Sequence, residues 1–334
     1  MTDDKPLGTQ VQQWVSFGAS VIAPVTVISA LLFYFGYVSS RSEYAYFGID
    51  VDAVGLSTQG YVMRSPQVLL VPLLVLGLVG AGFLVINSGV RGRIALRLNR
   101  VGEGDQGDDP GVESRAHVER IRRNLRRAAI AGLVILVGGV VLLFAYPYVR
   151  SWSPYPLVTP LVIAFGATLA AYAWSLGNFV RRLESAPATT DAKTAGPVGV
   201  RSTPADANLM ARRTAAVLIG VVIAASLFWA TATIAQWTGR GLAEYQARHL
   251  DSLPSVILDT KERLFLRDPG ITETLLPSSD GQTFHYRYRG LRLLIDGQDR
   301  MFLVPAHWSA SDSTLIVPLD ESVRVQFQFQ NQPP

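Results

Sequence analysis

The sequence predicts a membrane α-helical bundle of five transmembrane helices followed by a small all-β C-terminal domain. Three observations predict it. Five long apolar runs contain no Asp, Glu, Lys or Arg in their cores, arginine-dense and arginine-poor loops alternate between them, and the hydrophobic period falls to two beyond Pro254. The composition agrees: 49% of the 334 residues are hydrophobic and 17% are charged, against about 25% charged in ordinary soluble domains.

A helix needs about 20 apolar residues to cross the hydrocarbon. The runs 15–38, 67–88, 128–149, 156–180 and 215–237 meet that length. The first is too long for the apolar part of a signal peptide, and only Lys5 precedes it as a basic residue, so it is expected to be an uncleaved anchor. Small residues recur in the second span (Gly77, Gly80, Ala81, Gly82) and the third (Gly132, Gly138, Gly139). They are expected to let helices pack closely within the bundle.

Orientation follows from the basic loops, because arginine and lysine stay on the cytoplasmic side. Loop 89–127 carries ten arginines, and loop 181–213 carries five with Lys193. The opposite side has Arg41 and Arg64 in loop 39–66 and Arg150 in the second loop. The expected topology therefore has residues 1–14 in the cytoplasm, 15–237 in the bundle and the C-terminal domain outside the cell.

Loop 89–127 is expected to prolong its flanking spans as helices. Arg120, Arg122, Arg123, Arg126 and Arg127 are candidate contacts for anionic lipid headgroups. Gly102, Gly104 and Gly107 match a dinucleotide fingerprint by letter, but no preceding strand supports it and Glu103, Asp105, Asp108 and Asp109 would repel a pyrophosphate. A turn is expected there. Loop 181–213 is rich in Ala, Pro, Thr and Gly, a composition that favours disorder.

Loop 39–66 is aromatic and too apolar to stand free in water, so it is expected to pack on the bundle or on the C-terminal domain. Ser57 is a candidate cap for a short interfacial helix. Asp50 and Asp52 form an Asp-x-Asp pair, a pattern that holds metal and nucleotide sugar in some sugar transferases. On the outer side, without a supporting motif, the pair is expected to be a solvated turn. The stretch 46–52, with 56–61 and Arg64, resembles a segment of uncharacterised actinobacterial multi-pass membrane proteins that end in a β-rich domain. That resemblance implies the topology and no catalytic activity.

Beyond Trp237, Leu242, Tyr245 and either His249 or Leu250 recur at helical spacing, so a short amphipathic helix is expected over 238–254. A β-rich domain, a small barrel or sandwich, is expected over 255–334. Its candidate strands are 255–259, 263–267, 283–289, 291–295, 301–304, 313–317 and 323–330. In 283–289 Phe284, Tyr286 and Tyr288 share a face, and the alternation slips at Gly290, as a β-bulge requires. Asp296 and Gly297 suit a hairpin turn. In the last strand Val323, Val325, Phe327 and Phe329 are expected to point inward. His285, Arg287, Arg289 and Arg292 form the one candidate binding patch, suited to an anionic ligand or a protein partner.

The chain has no cysteine, which excludes disulfides and thiolate chemistry. His117, His249, His285 and His307 show no metal-ligand spacing, so no metal, cofactor or catalytic residue is expected. The net charge of +4 lies in membrane-flanking loops and does not point to nucleic acid. The expected partners are the lipid bilayer and an envelope polymer or protein. The expected function is that of a non-enzymatic membrane protein displaying an extracytoplasmic binding or sensing domain. A channel or transporter component, and a membrane enzyme acting on lipid or sugar chains, are the alternatives.

Overall fold

The structure is a computed structural model that describes residues 7–103, 110–149, 151–184, 204–277, 280–309 and 311–328. The glycine turn at 104–107, most of loop 181–213, and Phe329 and Gln330 lie outside the described residues. The helices are α1 (Leu7–Tyr46), α2 (Val51–Val54), α3 (Thr58–Glu103), α4 (Pro110–Phe144), α5 (Tyr146–Val149), α6 (Tyr155–Glu184) and α7 (Pro204–Arg248). Four segments among the described residues are long and apolar enough to cross a membrane: Thr58–Arg93, Glu119–Phe144, Tyr155–Arg181 and Met210–Arg248. They contain the second, fourth and fifth expected spans; the third, expected over 128–149, ends as a continuous helix at Phe144, and α5 follows. The first expected span lies inside α1, whose Val25, Val27 and Ile28 are more than half exposed. As expected, α3 and α4 carry the helices well into loop 89–127.

The chain divides into two compact units, Pro72–Thr233 and Met1–Val71 with Ile234–Pro334. In the first, α4 folds back through α5 onto α6. Small residues set this contact: a Cβ at Gly132 would stand 2.6 Å from Ala170 N, and one at Gly166 would stand 2.5 Å from Leu136 N. Tyr155 Oη donates to Leu142 O at 3.0 Å, and Thr233 Oγ1 donates to Pro156 O at 3.2 Å. Phe83 meets Tyr172 edge-on at 5.3 Å, and Arg91 lies over Phe179 at 5.4 Å. Residue numbers rise together along these contacts, so α3 and α6 run parallel, as the second and fourth spans of an alternating bundle must. Gly77, Gly80 and Gly82 have nothing within 4 Å of a built Cβ. The expected packing stripe of the second span therefore meets no neighbour among the described residues.

In the second unit the outer loop is shorter than the sequence suggests, because α1 extends to Tyr46 and α3 begins at Thr58. Ser57 Oγ accepts from Gly60 N at 3.1 Å and so caps α3, not a separate interfacial helix. The short helix is α2, and its cap is Asp50, whose Oδ1 accepts from Asp52 N at 3.2 Å. The helix expected over 238–254 is the end of α7, which runs unbroken to Arg248 before a 3-10 turn at Leu250–Ser252. Backbones approach closely at two points where only glycine fits: a Cβ at Gly36 would collide with Tyr61 O, and one at Gly239 with Ser39 O.

The C-terminal strands are β1 (Ser255–Thr260), β2 (Thr272–Leu275), β3 (Tyr286–Asp296), β4 (Arg300–Pro305), β5 (Leu315–Pro318) and β6 (Val323–Gln328). They form one antiparallel sheet of order β5-β4-β3-β1-β6, with β2 paired to the first half of β3. This single sheet replaces the expected barrel or sandwich. The segment 263–267 is not a strand: Phe265 has φ +52, which breaks an extended run, and Leu264 N donates to Tyr288 Oη at 2.8 Å. The bulge at Gly290 is present. The β1–β3 register shifts between Val256↔Leu291 and Leu258↔Tyr288, which keeps Tyr288 and Leu291 in one core. Gly290 has φ +82, and a Cβ there would strike Gly270 O. Phe327 is 57% exposed, not inward as expected.

The sheet buries both faces of β4. Met301 and Leu303 join Val256, Leu258, Tyr288, Leu291 and Val317 in one core, while Phe302 and Val304 join Tyr44, Phe47, Ile49, Val51, Val54, Tyr61, Ala243 and Leu250 in the other. The apolar outer loop is thus packed under the C-terminal domain, one of the two expected places.

Gly132→Leu would force the α4 and α6 backbones apart and is expected to cost about 3 kcal/mol. Gly80→Leu, which meets open space, is expected to leave stability nearly unchanged. Thermal unfolding of both full-length variants in detergent checks this.

Candidate functional site at the helix–sheet junction

The core shared by the helix ends and the sheet opens on one side into a cavity of about 670 Å³. Residues 45–49 at the end of α1, Ala247 and Arg248 at the end of α7, and Trp308, Ser309, Asp312, Ser313, Thr314 and Ile316 around the β4–β5 connection line it. Its position follows from local chemistry. Phe47 N and Ile49 N both donate to Tyr44 O at 3.0 Å, which turns the chain sharply out of α1. Phe47 then packs edge-on against Trp308 at 5.2 Å, and Thr314 Oγ1 donates to Phe47 O at 2.7 Å. On the far wall Asp312 accepts from Ser309 N and donates its own N–H to Ser309 O, closing a tight turn. Arg248 anchors its Nε on Glu244 O at 3.1 Å.

The lining combines aromatic rings, hydroxyl groups, one carboxylate and one guanidinium. Such a surface binds by ring stacking and hydrogen bonding. Among the described residues no group of three or more His, Asp or Glu is placed to hold a metal ion.

Behind the cavity lies a cluster of buried polar side chains. Glu43, 5% exposed, accepts from Arg64 Nη1 at 3.0 Å, and Arg64 also lies over the Tyr44 ring at 5.4 Å. Burial pushes the Glu43 carboxyl above its usual range, against the opposing pull of Arg64 and a hydrogen bond from Gln246. Burial likewise raises the Tyr44 phenol. Among the described residues, Ser40 Oγ and Gln246 Oε1 are buried without a hydrogen-bond partner.

The residues singled out in the sequence have different surroundings. Arg287 Nε and Nη2 grip Asp259 at 2.7 and 3.0 Å, and Arg324 binds the same carboxylate from the other side at 2.6 Å. Arg292 Nη1 donates to Leu253 O at 3.0 Å, and His285 Nδ1 lies 3.3 Å from Lys261 O. Arg289 is exposed. Asp50 caps α2, and Asp52 accepts from Tyr37 Oη at 3.3 Å, so both belong to local structure. Arg120, Arg122, Arg123, Arg126 and Arg127 are all exposed along α4, where headgroup contact needs them.

Sequence reasoning missed Glu43, Asp259 and Trp308. The last two carried a usable signal. Asp259 interrupts an otherwise apolar strand, and Trp308 is a large aromatic in a polar connection. Glu43 had none, because it sits among loop-like residues.

The Asp259 carboxylate is fully buried, and the hydrogen bonds from Arg287 hold its pKa below the usual aspartate range, against the opposing effect of burial. Its stabilisation is therefore complete above the ordinary aspartate value and is lost as pH falls through the lower folded value. Asp259→Asn is expected to cost about 2 kcal/mol at neutral pH and to lack that acid limb. Thermal midpoints of the full chain at pH 7 and under acid conditions check this.

No family model, curated protein or solved structure matches this chain.

Proposed function

We propose that the chain is a non-enzymatic integral membrane protein of five spans with a cytoplasmic N-terminus. Its C-terminal sheet lies outside the cell and presents the junction cavity as a binding or sensing surface for an envelope polymer or a protein partner. The topology rests on the arginine-dense loops 89–127 and 181–213, and the parallel course of α3 and α6 supports it.

One observation carries the functional reading. The Phe47–Trp308 contact that walls the cavity belongs to the apolar core joining α1, α3 and α7 to β4. A ligand that moves Trp308 acts on the packing of three helix ends without an intervening linker. That suits a domain whose occupancy is reported to the membrane. Exposed Arg248 and Arg289 favour an anionic polymer.

The test uses the full chain in nanodiscs and hydrogen exchange, with polyglycerol phosphate as the anionic probe and a neutral glucan as control. Slowed exchange over 45–49 and 308–316 with the anionic polymer alone is expected. A cysteine replacing Gln298 in the cysteine-free chain is expected to react with an impermeant maleimide in intact cells. Reaction only after lysis would invert the topology. Unchanged exchange with every polymer, together with ion flux in reconstituted vesicles, would replace binding by transport.

A further inference from the structure

β6 is the outermost strand of the sheet and, among the described strands, pairs with β1 alone. The pairing runs without a shift from Ser255↔Gln328 to Thr260↔Val323. One step further, Lys261 N donates to Ser322 O at 3.2 Å. Hydrogen-bonded and non-hydrogen-bonded pairs alternate along an antiparallel ladder, so that bond sets the phase. Arg324, Gln326 and Gln328 direct their backbone groups to β1. Val323, Val325 and Phe327 direct theirs outward; Val323 N already makes a long bond to Asp320 O at 3.4 Å, and Val325 and Phe327 each offer an N–H and a C=O. The side chains of these three share one face. Val323 and Val325 pack against the sheet core, and Phe327 extends beyond it, 57% exposed.

Sheet edges are ordinarily blunted by shortness, proline, bulges or charge. The opposite edge conforms: β5 has four residues and ends in Pro318. β6 has six residues, no proline and no bulge. Its one charge, Arg324, is held by Asp259 and stacked on Phe284 at 5.0 Å. The Arg324 guanidinium is thereby drawn back toward β1 and Phe284, away from the outward backbone groups of the edge.

We propose that β6 pairs antiparallel with β6 of a second copy about a two-fold axis through Val325. The hydrogen-bonded pairs are then Val325 with the partner's Val325, and Val323 with the partner's Phe327 in both directions. The outward N–H and C=O groups of Val325 and Phe327 are used, and Val323 N exchanges its long bond to Asp320 O for one to the partner's Phe327 O. Phe327 gains a β-branched neighbour on its own face, a favourable cross-strand pair. Arg324 opposes Gln326, so no like charges meet directly. The axis is perpendicular to the sheet and preserves its faces. The face of β4 bearing Phe302 and Val304, which packs on the helices, therefore points the same way in both copies, as two chains in one membrane require.

The cysteine-free full chain makes the register testable in its native membrane. Cα atoms of a hydrogen-bonded pair lie about 5.5 Å apart, within disulfide range. Val325→Cys is expected to form a disulfide dimer under mild oxidation. Val323→Cys and Phe327→Cys are each expected to cross-link several-fold less alone but efficiently when co-expressed. Val325→Pro removes an outward N–H, which edge strands tolerate, together with the Val325 packing that Val325→Ala removes alone. It is expected to match Val325→Ala in thermal midpoint while, unlike Val325→Ala, turning the dimer into a monomer by light scattering. Equal cross-linking at all three positions would overturn the proposal, as would a monomeric Val325→Cys chain or its capture of a different protein in intact cells.

Discussion

The structure depends on burying an aromatic outer loop beneath a β-sheet without stranding its backbone. Tyr44, Phe47, Val51 and Val54 are at most 2% exposed, and Phe302 and Val304 complete their core from the sheet. Burying side chains of this kind stabilises by about 2 kcal/mol each, provided the polar backbone between them is satisfied. Here it is. Tyr44 O accepts twice, Asp50 caps α2, Ser57 caps α3, and Thr314 supplies the donor for Phe47 O. The close crossings at Gly36 and Gly239 bring α3 and α7 against α1, so one sheet face meets all three helices.

Two buried carboxylates in this unit show how hydrogen-bond count decides the cost of charge. Glu43 has one guanidinium partner, itself 37% exposed, and burial prevails. Asp259 has two, one gripping both of its oxygens, and the bonds prevail. The difference is structural in consequence. Asp259 ties β3, β1 and β6 together at one level, Asp259↔Arg287 and Asp259↔Arg324. It also withdraws Arg287 and Arg324 from any ligand. Of the basic sheet face that the sequence presents, Arg287 belongs to this internal electrostatic clamp.

The legible parts of this fold are those where one period or one residue dictates the outcome. The apolar runs gave the long helices of the bundle, and the slip at Gly290 gave the bulge, because no other reading keeps both Tyr288 and Leu291 inside. Strands 255–259 and 301–304 were readable for the same reason. The failures occur where long-range pairing overrides the local pattern. Arg263 to Arg267 alternates like a strand, yet Leu264 N bonds Tyr288 Oη and Arg263 pairs with Glu273 at 2.7 Å, so the segment becomes a loop. The second register shift in β3, between Leu293 and Ile295, was invisible in a run without alternation. It serves the geometry, because Leu291 and Leu293 belong to one core while Leu294 and Ile295 pack on the other. The engagement of Arg287 was not legible because its partner, Asp259, is distant in sequence. The cavity failed because it joins residues 45–49 to 308–316.

The two-core arrangement also constrains how the sheet can influence the membrane. A protein changes state only when a ligand makes different contacts in the two states. At the junction, the contact available to such a difference is Trp308 on Phe47, since it walls the cavity and reaches the core together. Below it, α1 meets α3 and α7 backbone to backbone at glycines, where no side chain can rotate to absorb a shift. On the proposed sensing role, a displacement of Phe47 would be relayed along α1 as movement of whole helix ends. Interiors packed this closely transmit strain instead of dissipating it. The polar cluster at Ser40, Glu43, Tyr44 and Arg64 lies along that route, where any shift alters the surroundings of a buried carboxyl already disfavoured as an anion.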